Sequence, residues 1–319
     1  MSFRFTLVTA LAVAAGVAQA QSYPARPVKV IVSAAAGSAT DTVARVFGRR
    51  LGDLLGQPFV IENRVGANGA IGGDFVAKSS PDGYTLLVGT NGTNAVIGMI
   101  MRNVPYDPFR DFTPISFLGV LPQVVLVSGE SPRRTLRDVI AYARSNPGGV
   151  TFASSNSVQR VSAEMLASMS GVRLLNVPYK NSPQAMTDLI GGQIGLYIAD
   201  MIIALPQIKA GKVRALAVTT ARRASALPDV PTVAEAAGVP GYELAGMFGL
   251  FGPAGLPAAV TERLNTTVRK AAGDPEVRTP LAALGLEIET SSPEALTARL
   301  REEYSRWQKV TREAGIEPE

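Results

Sequence analysis

The sequence predicts an α/β protein of two lobes, one inserted into the other, and three observations lead there. Short runs rich in Val and Ile alternate with stretches of helical period, the pattern of a largely parallel sheet flanked by helices. Four of the strand-like runs empty into loops of small, hydroxyl and amide residues. The character of the chain changes at Leu121-Pro122-Gln123, and the segment beyond Pro228-Asp229-Val230-Pro231-Thr232 looks like the opening pattern resumed.

The N-terminus is expected to lie outside that fold. Arg4 supplies a basic start, residues 7–17 are apolar, and Ala18-Gln19-Ala20 is a small-x-small cleavage signal. The apolar run falls short of the roughly 20 residues that span a bilayer, so it reads as a signal peptide rather than an anchor. Cleavage after Ala20 would export the chain to the periplasm, with a mature start at Gln21.

Composition then narrows the function. The chain has no cysteine, so an oxidising compartment finds no disulfide to form and no lipid anchor is possible on an N-terminal thiol. It also has no histidine, which removes the commonest general base, the usual zinc ligand and every Ser-His or Cys-His pair. That weighs against an enzyme. The formal charge of +5 is mild and scattered; the pairs Arg49-Arg50, Arg133-Arg134 and Arg222-Arg223 read as solvated faces, not a nucleic-acid stripe.

Along the chain, residues 28–32 form a buried strand, 33–40 a small-residue loop, and an amphipathic helix runs from Asp41 to about Leu55. A second strand (59–62) leads through the glycine-rich 63–69 into a helix over 71–79. Pro81-Asp82-Gly83 is a strong turn before a third strand at 84–88. Beyond Gln123 come strands at 124–127, 150–153, 174–177, 194–199 and 213–219. Helices lie over 136–145, from about 157 to Gly171, and after Tyr179-Lys180-Asn181-Ser182-Pro183, with Ser182 as N-cap and Pro183 at the first helical position. Residues 258–272 and 293–314 are two last amphipathic helices, the latter burying Trp307. The expected division is a signal peptide (1–20), a discontinuous first lobe (21–123 and 220–319) and a second lobe (124–219). Ligand sites commonly lie in the cleft between such lobes.

The loops 33–41, 89–94, 154–157 and 179–183 carry the candidate site. Ligands of open α/β sheets bind beyond the carboxyl ends of strands, so these loops should converge on the cleft. Helix N-termini with small side chains favour anions, because several backbone N–H groups lack partners there. The candidate ligand-binding residues are Ala36, Gly37, Ser38, Ala39, Thr40, Asp41, Thr90, Asn91, Ser154, Ser155, Asn156, Tyr179, Lys180, Asn181 and Asp200. Each has a plainer reading: Thr40, Asp41 or Asp200 as a helix cap, Lys180 as a solvated side chain, Asn68-Gly69 as a tight turn. There is no Gly-x-Ser-x-Gly elbow and no phosphate loop, and Glu302-Glu303 reads as surface. No metal or cofactor is expected.

The ordered set Tyr23-Pro24-Ala25-Arg26-Pro27, Val30-Ile31-Val32, Gly37 and Thr40-Asp41 resembles the start of the Bug receptors, solute-binding proteins of tripartite tricarboxylate transporters. So do Leu55-Gly56-Gln57-Pro58, Glu62-Asn63-Arg64, Pro81-Asp82-Gly83-Tyr84, Val177-Pro178-Tyr179-Lys180, Gly191-Gly192-Gln193, Arg214-Ala215-Leu216-Ala217-Val218 and Leu227-Pro228-Asp229-Val230-Pro231-Thr232. The resemblance implies a two-lobed type II periplasmic-binding-protein fold with an interlobe ligand cleft. It implies a monomeric receptor for a small carboxylate (a di- or tricarboxylate, acidic amino acid or aromatic acid) that hands its ligand to inner-membrane transporter subunits. A sensor that presents the ligand to a signalling receptor such as a sensor kinase is the alternative. Two departures stand out: Ser33-Ala34-Ala35-Ala36-Gly37-Ser38 replaces the family's aromatic-Pro-Pro-Gly run, and Asn181 replaces the glycine that often comes after the Tyr-Lys pair.

Overall fold

A computed structural model describes residues 23–313, 315, 317 and 318. The expected signal peptide and its cleavage site lie outside the described residues. Two five-stranded mixed sheets form the frame. The first half of the chain contributes β1 (Val28–Val32), α1 (Ala39–Leu55), β2 (Phe59–Asn63), α2 (Ala70–Ala77), β3 (Thr85–Thr90), the one-turn helices α3 (Asn91–Asn94) and α4 (Ile97–Ile100), and β4 (Phe112–Leu121). Next come β5 (Gln123–Ser128), α5 (Leu136–Ser145), β6 (Thr151–Ser154), α6 (Ser157–Ser170), β7 (Leu175–Pro178), α7 (Ser182–Ile190), β8 (Leu196–Asp200), α8 (Met201–Lys209) and β9 (Val213–Val218). The chain closes with α9 (Val233–Ala237), β10 (Gly246–Pro253), α10 (Ala258–Ala272), α11 (Pro275–Ala283) and α12 (Pro293–Glu313).

The strand orders are β2-β1-β3-β10-β4 and β7-β6-β8-β5-β9. The two sheets thus repeat one pattern, and in each the fourth position runs against its neighbours: β10 is antiparallel to β3 and β4, β5 to β8 and β9. Four of the five strands in each sheet run one way, as a largely parallel sheet requires, and the single reversed strand makes each sheet mixed. Both reversed strands, β5 and β10, come directly after a crossing.

Each helix takes its place through an apolar stripe. In α1 this is Val43, Ala44, Phe47 and Leu51, and in α12 Leu296, Leu300, Trp307 and Val310, all buried. Two apolar cores result, and each draws on both sheets. One runs from Val30 and Leu86 to Leu126 and Tyr197, the other from Ile31 and Leu87 to Val125 and Phe152. Helix α12 also packs against β4, α3 and α4 on one side and α6 on the other.

The crossings are tied to one another. Gln123 N–H donates to Thr219 Oγ1 at 3.0 Å, and Thr219 N–H returns a bond of 3.0 Å to the Gln123 carbonyl. Residues 219–245, expected to resume the first lobe, run first along the second: Val218 N–H bonds Pro231 O, and α9 packs on α5 and β9. The chain rejoins the first sheet only at Gly246. Among the described residues no helix is long and apolar enough to cross a membrane.

Beside the crossing, Gly119 has φ +143°, and a Cβ there would strike the carbonyl oxygen of Glu287, which pairs with Val120. Only glycine fits both conditions. Gly119→Ala is expected to cost about 2–3 kcal/mol, seen as a lower urea midpoint at unchanged m. A midpoint within error of wild type would show that this close approach is not required.

Candidate functional site

The first wall is the loop after β1. Ser38, with extended backbone at the N-cap of α1, accepts the Asp41 N–H at 3.2 Å. Thr40 and Asp41 are therefore not the cap. Asp41 is buried and fully engaged: Oδ2 accepts Gly37 N–H (2.9 Å) and Arg45 Nε (2.9 Å), and Oδ1 accepts Asn63 Nδ2 (2.9 Å). Asn63 also donates to the Ala34 carbonyl at 2.9 Å. Asp41 thus ties the loop to the end of β2, and its place is behind the wall. Burial alone would push its carboxyl up, but the bonds from Arg45, Gly37 N–H and Asn63 outweigh it and hold the carboxyl below the usual range. Ala36 and Gly37 stay exposed and Ala39 half-exposed, while Thr40 is buried. The N–H groups of Ala39 and Thr40, in the first turn of α1, have no use within the helix.

Behind this loop the backbones pack closely. A Cβ at Gly72 would strike Ser33 Oγ, and one at Gly69 would meet Thr93 Cγ2 at 2.5 Å and Ser33 Cβ at 3.2 Å. Ser33 Oγ itself is buried without a hydrogen-bond partner. The Asn68-Gly69 turn forms as expected, with both residues at positive φ. Ser33, Gly69 and Gly72 were not among the candidate residues; the density of glycine over 66–73 is the signal that marks close approach.

Thr90 caps α3 in a reciprocal capping box with Thr93. Asn91 points inward: Nδ2 donates to Ala245 O at 3.0 Å and reaches Glu303 Oε2 at 3.4 Å. Glu303, expected at the surface, is only 7% exposed and sits on the buried stripe of α12, paired with Arg306 at 3.1 Å. Burial raises its carboxyl above the ordinary range, against the opposing pull of Arg306 and Asn91. Asn91 therefore braces the loop through α12.

The second wall gathers the carboxyl ends of β6, β7 and β8. Asn156 caps α6 and Asn181 caps α7, each accepting the N–H three residues on at 2.9 Å. The N-cap of α7 is thus Asn181 and not Ser182, and Pro183 falls at the second helical position, because the short amide reaches the Gln184 N–H first. Freed from capping, Ser182 Oγ shares a 2.7 Å hydrogen bond with Ser155 Oγ across the two loops. Gln159 accepts Ser155 N–H (2.9 Å) and Ser155 Oγ (2.8 Å). Its position three residues after the Asn156 cap was the readable signal for it.

Ser154 donates to Asn176 Oδ1 at 2.7 Å, and Tyr179 Oη to Asp188 at 2.8 Å; partial burial and the Asp188 carboxylate push that hydroxyl up to about 12. Lys180 is exposed. Asp200 stands at the N-cap position of α8 but makes no side-chain cap bond; instead Gln123 Nε2 donates to its Oδ1 at 3.2 Å. Gln123 in turn accepts Ser162 Oγ at 2.5 Å. Ser155, Ser182, Gln159, Tyr197 and Asp200 therefore meet in one patch, next to the crossing. Ser154, Asn91 and Asp41 support the walls from behind.

A family model described as "Tripartite tricarboxylate transporter family receptor" matches residues 43–316. The chain is similar to an R. palustris protein whose structure is described with adipate (38% identity, TM-score 0.82, 93% of this chain and 100% of that one). It is also similar to MatC from Rhodopseudomonas palustris with bound malate (34%, TM-score 0.77, 90% and 99%). Protein BugT of Bordetella pertussis is 35% identical over 299 residues, 93% of this chain and 91% of BugT.

Asp41 supplies a pH signature. Its depressed carboxyl contributes stability that is fully present above the unfolded value of about 3.9 and is lost as pH falls through the lower folded value. Asp41→Asn is expected to cost about 1–3 kcal/mol at neutral pH. The gap in Tm from wild type should hold from about pH 7 to 5 and close below about pH 4. A gap that persists undiminished in acid would mean that the ionised carboxylate does not hold the loop.

Proposed function

The chain belongs to the family of tripartite tricarboxylate transporter receptors, and on that basis we propose that it is a periplasmic receptor that captures a small carboxylate between its two sheets and delivers it to inner-membrane transporter subunits. The observation that carries this reading is the makeup of the two walls. The helices α1, α6 and α7 start at the carboxyl ends of their strands, in loops that offer hydroxyls, amides and free backbone N–H but almost no side-chain charge. Such N-termini stabilise an anion through the helix dipole and unpaired N–H groups, each by about 0.3–1 kcal/mol or more when water is excluded.

On this reading the ligand carboxylate takes the N–H groups of Ala39 and Thr40 beside the exposed Ala36 on one side, and the Ser155 and Asn156 loop on the other. Thr90, Tyr179, Lys180 and Asn181 line the rim. Capture without an arginine clamp suits a carrier, which must release as readily as it binds. The first lobe, residues 21–123 with 246–319, and the second, to which residues 220–245 also pack, would swing about the crossings at Leu121–Gln123 and Leu244–Gly246, with closure excluding water from the ligand. The relatives described with adipate and with malate support a small carboxylate as the ligand class.

Calorimetric titration of ligand-stripped protein with a panel of mono-, di- and tricarboxylates and acidic amino acids tests this. At least one ligand is expected to bind, and at about 100 times its Kd to stabilise the fold by about 2.7 kcal/mol, visible as a rise in Tm. If no carboxylate in the panel binds or shifts Tm at millimolar concentration, the receptor reading fails.

A further inference from the structure

We propose that Asp200 sets the ligand class of this cleft, selecting a carboxylate that carries a hydrogen-bond donor, a hydroxyl or an ammonium, over one that carries a second carboxylate at that end. The inference rests on the carboxylate-receptor reading and narrows it.

Four observations carry it. Asp200 holds the N-cap position of α8 in an extended conformation, yet its carboxyl does not serve the helix. Its side-chain partners are carboxamides, Gln123 and Gln159, and among the described residues no lysine or arginine pairs with it. The Gln123 amide turns its oxygen to Ser162 Oγ and its NH2 to Asp200, the orientation a carboxylate there favours. The residue also sits at the bottom of the proposed cleft: it pairs with Gln123 across β5 and β8, and the next N–H, of Met201, bonds the carbonyl of Pro122 in the crossing.

Tyr197 adds an independent sign that this patch is not satisfied by the protein alone. Its ring is fully buried and its hydroxyl forms no hydrogen bond of good geometry, although Ser155, Ser182 and Gln159 surround it. A buried hydroxyl without a partner is costly, and this one lies among the residues that meet Asp200.

The chemistry is set by charge. The N-termini of α1 and α6 accept one carboxylate, but a carboxyl without a cationic partner at the floor disfavours a second, since the two cannot both ionise there. A ligand hydroxyl or ammonium there would complete Asp200 with a charge-assisted hydrogen bond instead. Burial raises the Asp200 carboxyl above its ordinary range, and a ligand ammonium or hydroxyl donating to it would favour the ionised form again.

The test is titration of stripped wild-type protein and Asp200→Asn with butyrate, γ-hydroxybutyrate, γ-aminobutyrate and succinate, and with the five-carbon set of the same groups. In wild type the best hydroxy or amino acid is expected to bind at least about tenfold tighter than the dicarboxylate of equal length. Asp200→Asn should erase or reverse that ratio while the unsubstituted acids change little. A dicarboxylate that binds wild type as tightly as its hydroxy and amino counterparts, or a ratio untouched by Asp200→Asn, overturns the assignment and leaves the carboxylate-receptor reading standing. Absence of binding by every probe overturns the assignment, while the receptor reading stands or falls on the wider carboxylate panel. The wild-type ranking decides the matter even if the variant fails to fold.

Discussion

Gln123 holds together three parts of the molecule that must stay in register for a cleft to exist. Its backbone exchanges two hydrogen bonds with Thr219, so the outward and return crossings share one joint. Its side chain bonds Ser162 on α6 and Asp200 at the head of α8, which fixes the floor of the second wall to that same joint. The residue is fully buried, so every polar atom it carries must find a partner. A buried, fully paired amide specifies one arrangement of its neighbours far more sharply than apolar packing does. On the proposed reading, closure of one sheet on the other would turn about this point.

The walls on either side are built by the same economy. Short polar side chains at strand ends cap helices or brace loops, and what remains facing the cleft is backbone N–H and a few hydroxyls. Asp41 illustrates it, since its charge is neutralised behind the wall by Arg45, Asn63 and Gly37, and contributes shape. Asn91 does the same in the second loop through Ala245 and Glu303. Asp200 alone among the candidate carboxylates lacks such neutralisation, and that contrast gives it meaning.

Much of this was readable from residues with strong local preferences. The β1–loop–α1 unit, α5, α10 and α12 arise from hydrophobic period and capping, and Asn156 and Asn181, picked out from their loops, are the N-caps of α6 and α7. Strands β4 and β10 were not expected. They carry Pro114, Gly119, Gly246, Gly249 and Gly252, which read locally as breaks, and their pairing shifts register twice. They are strands because they pair with each other and β10 pairs with β3 as well, a tertiary fact. Glu303 was misread for a related reason: a carboxylate on an apolar stripe is tolerable only if partners from distant segments meet it, and Asn91 lies more than two hundred positions away. Gln159, Ser162, Ser182 and Tyr197 escaped because their roles depend on loops from three strands meeting. The family resemblance gave the architecture that local pattern left open.

Both apolar cores include side chains from each sheet, and α12 lies across the two. Neither half therefore owns a complete interior. Loss of structure in one sheet strips the other of its inner lining, so the molecule should lose its structure as one cooperative unit despite its two-lobed outline. A ligand held where proposed would then protect both halves of the described fold from unfolding and from proteases that wait on it.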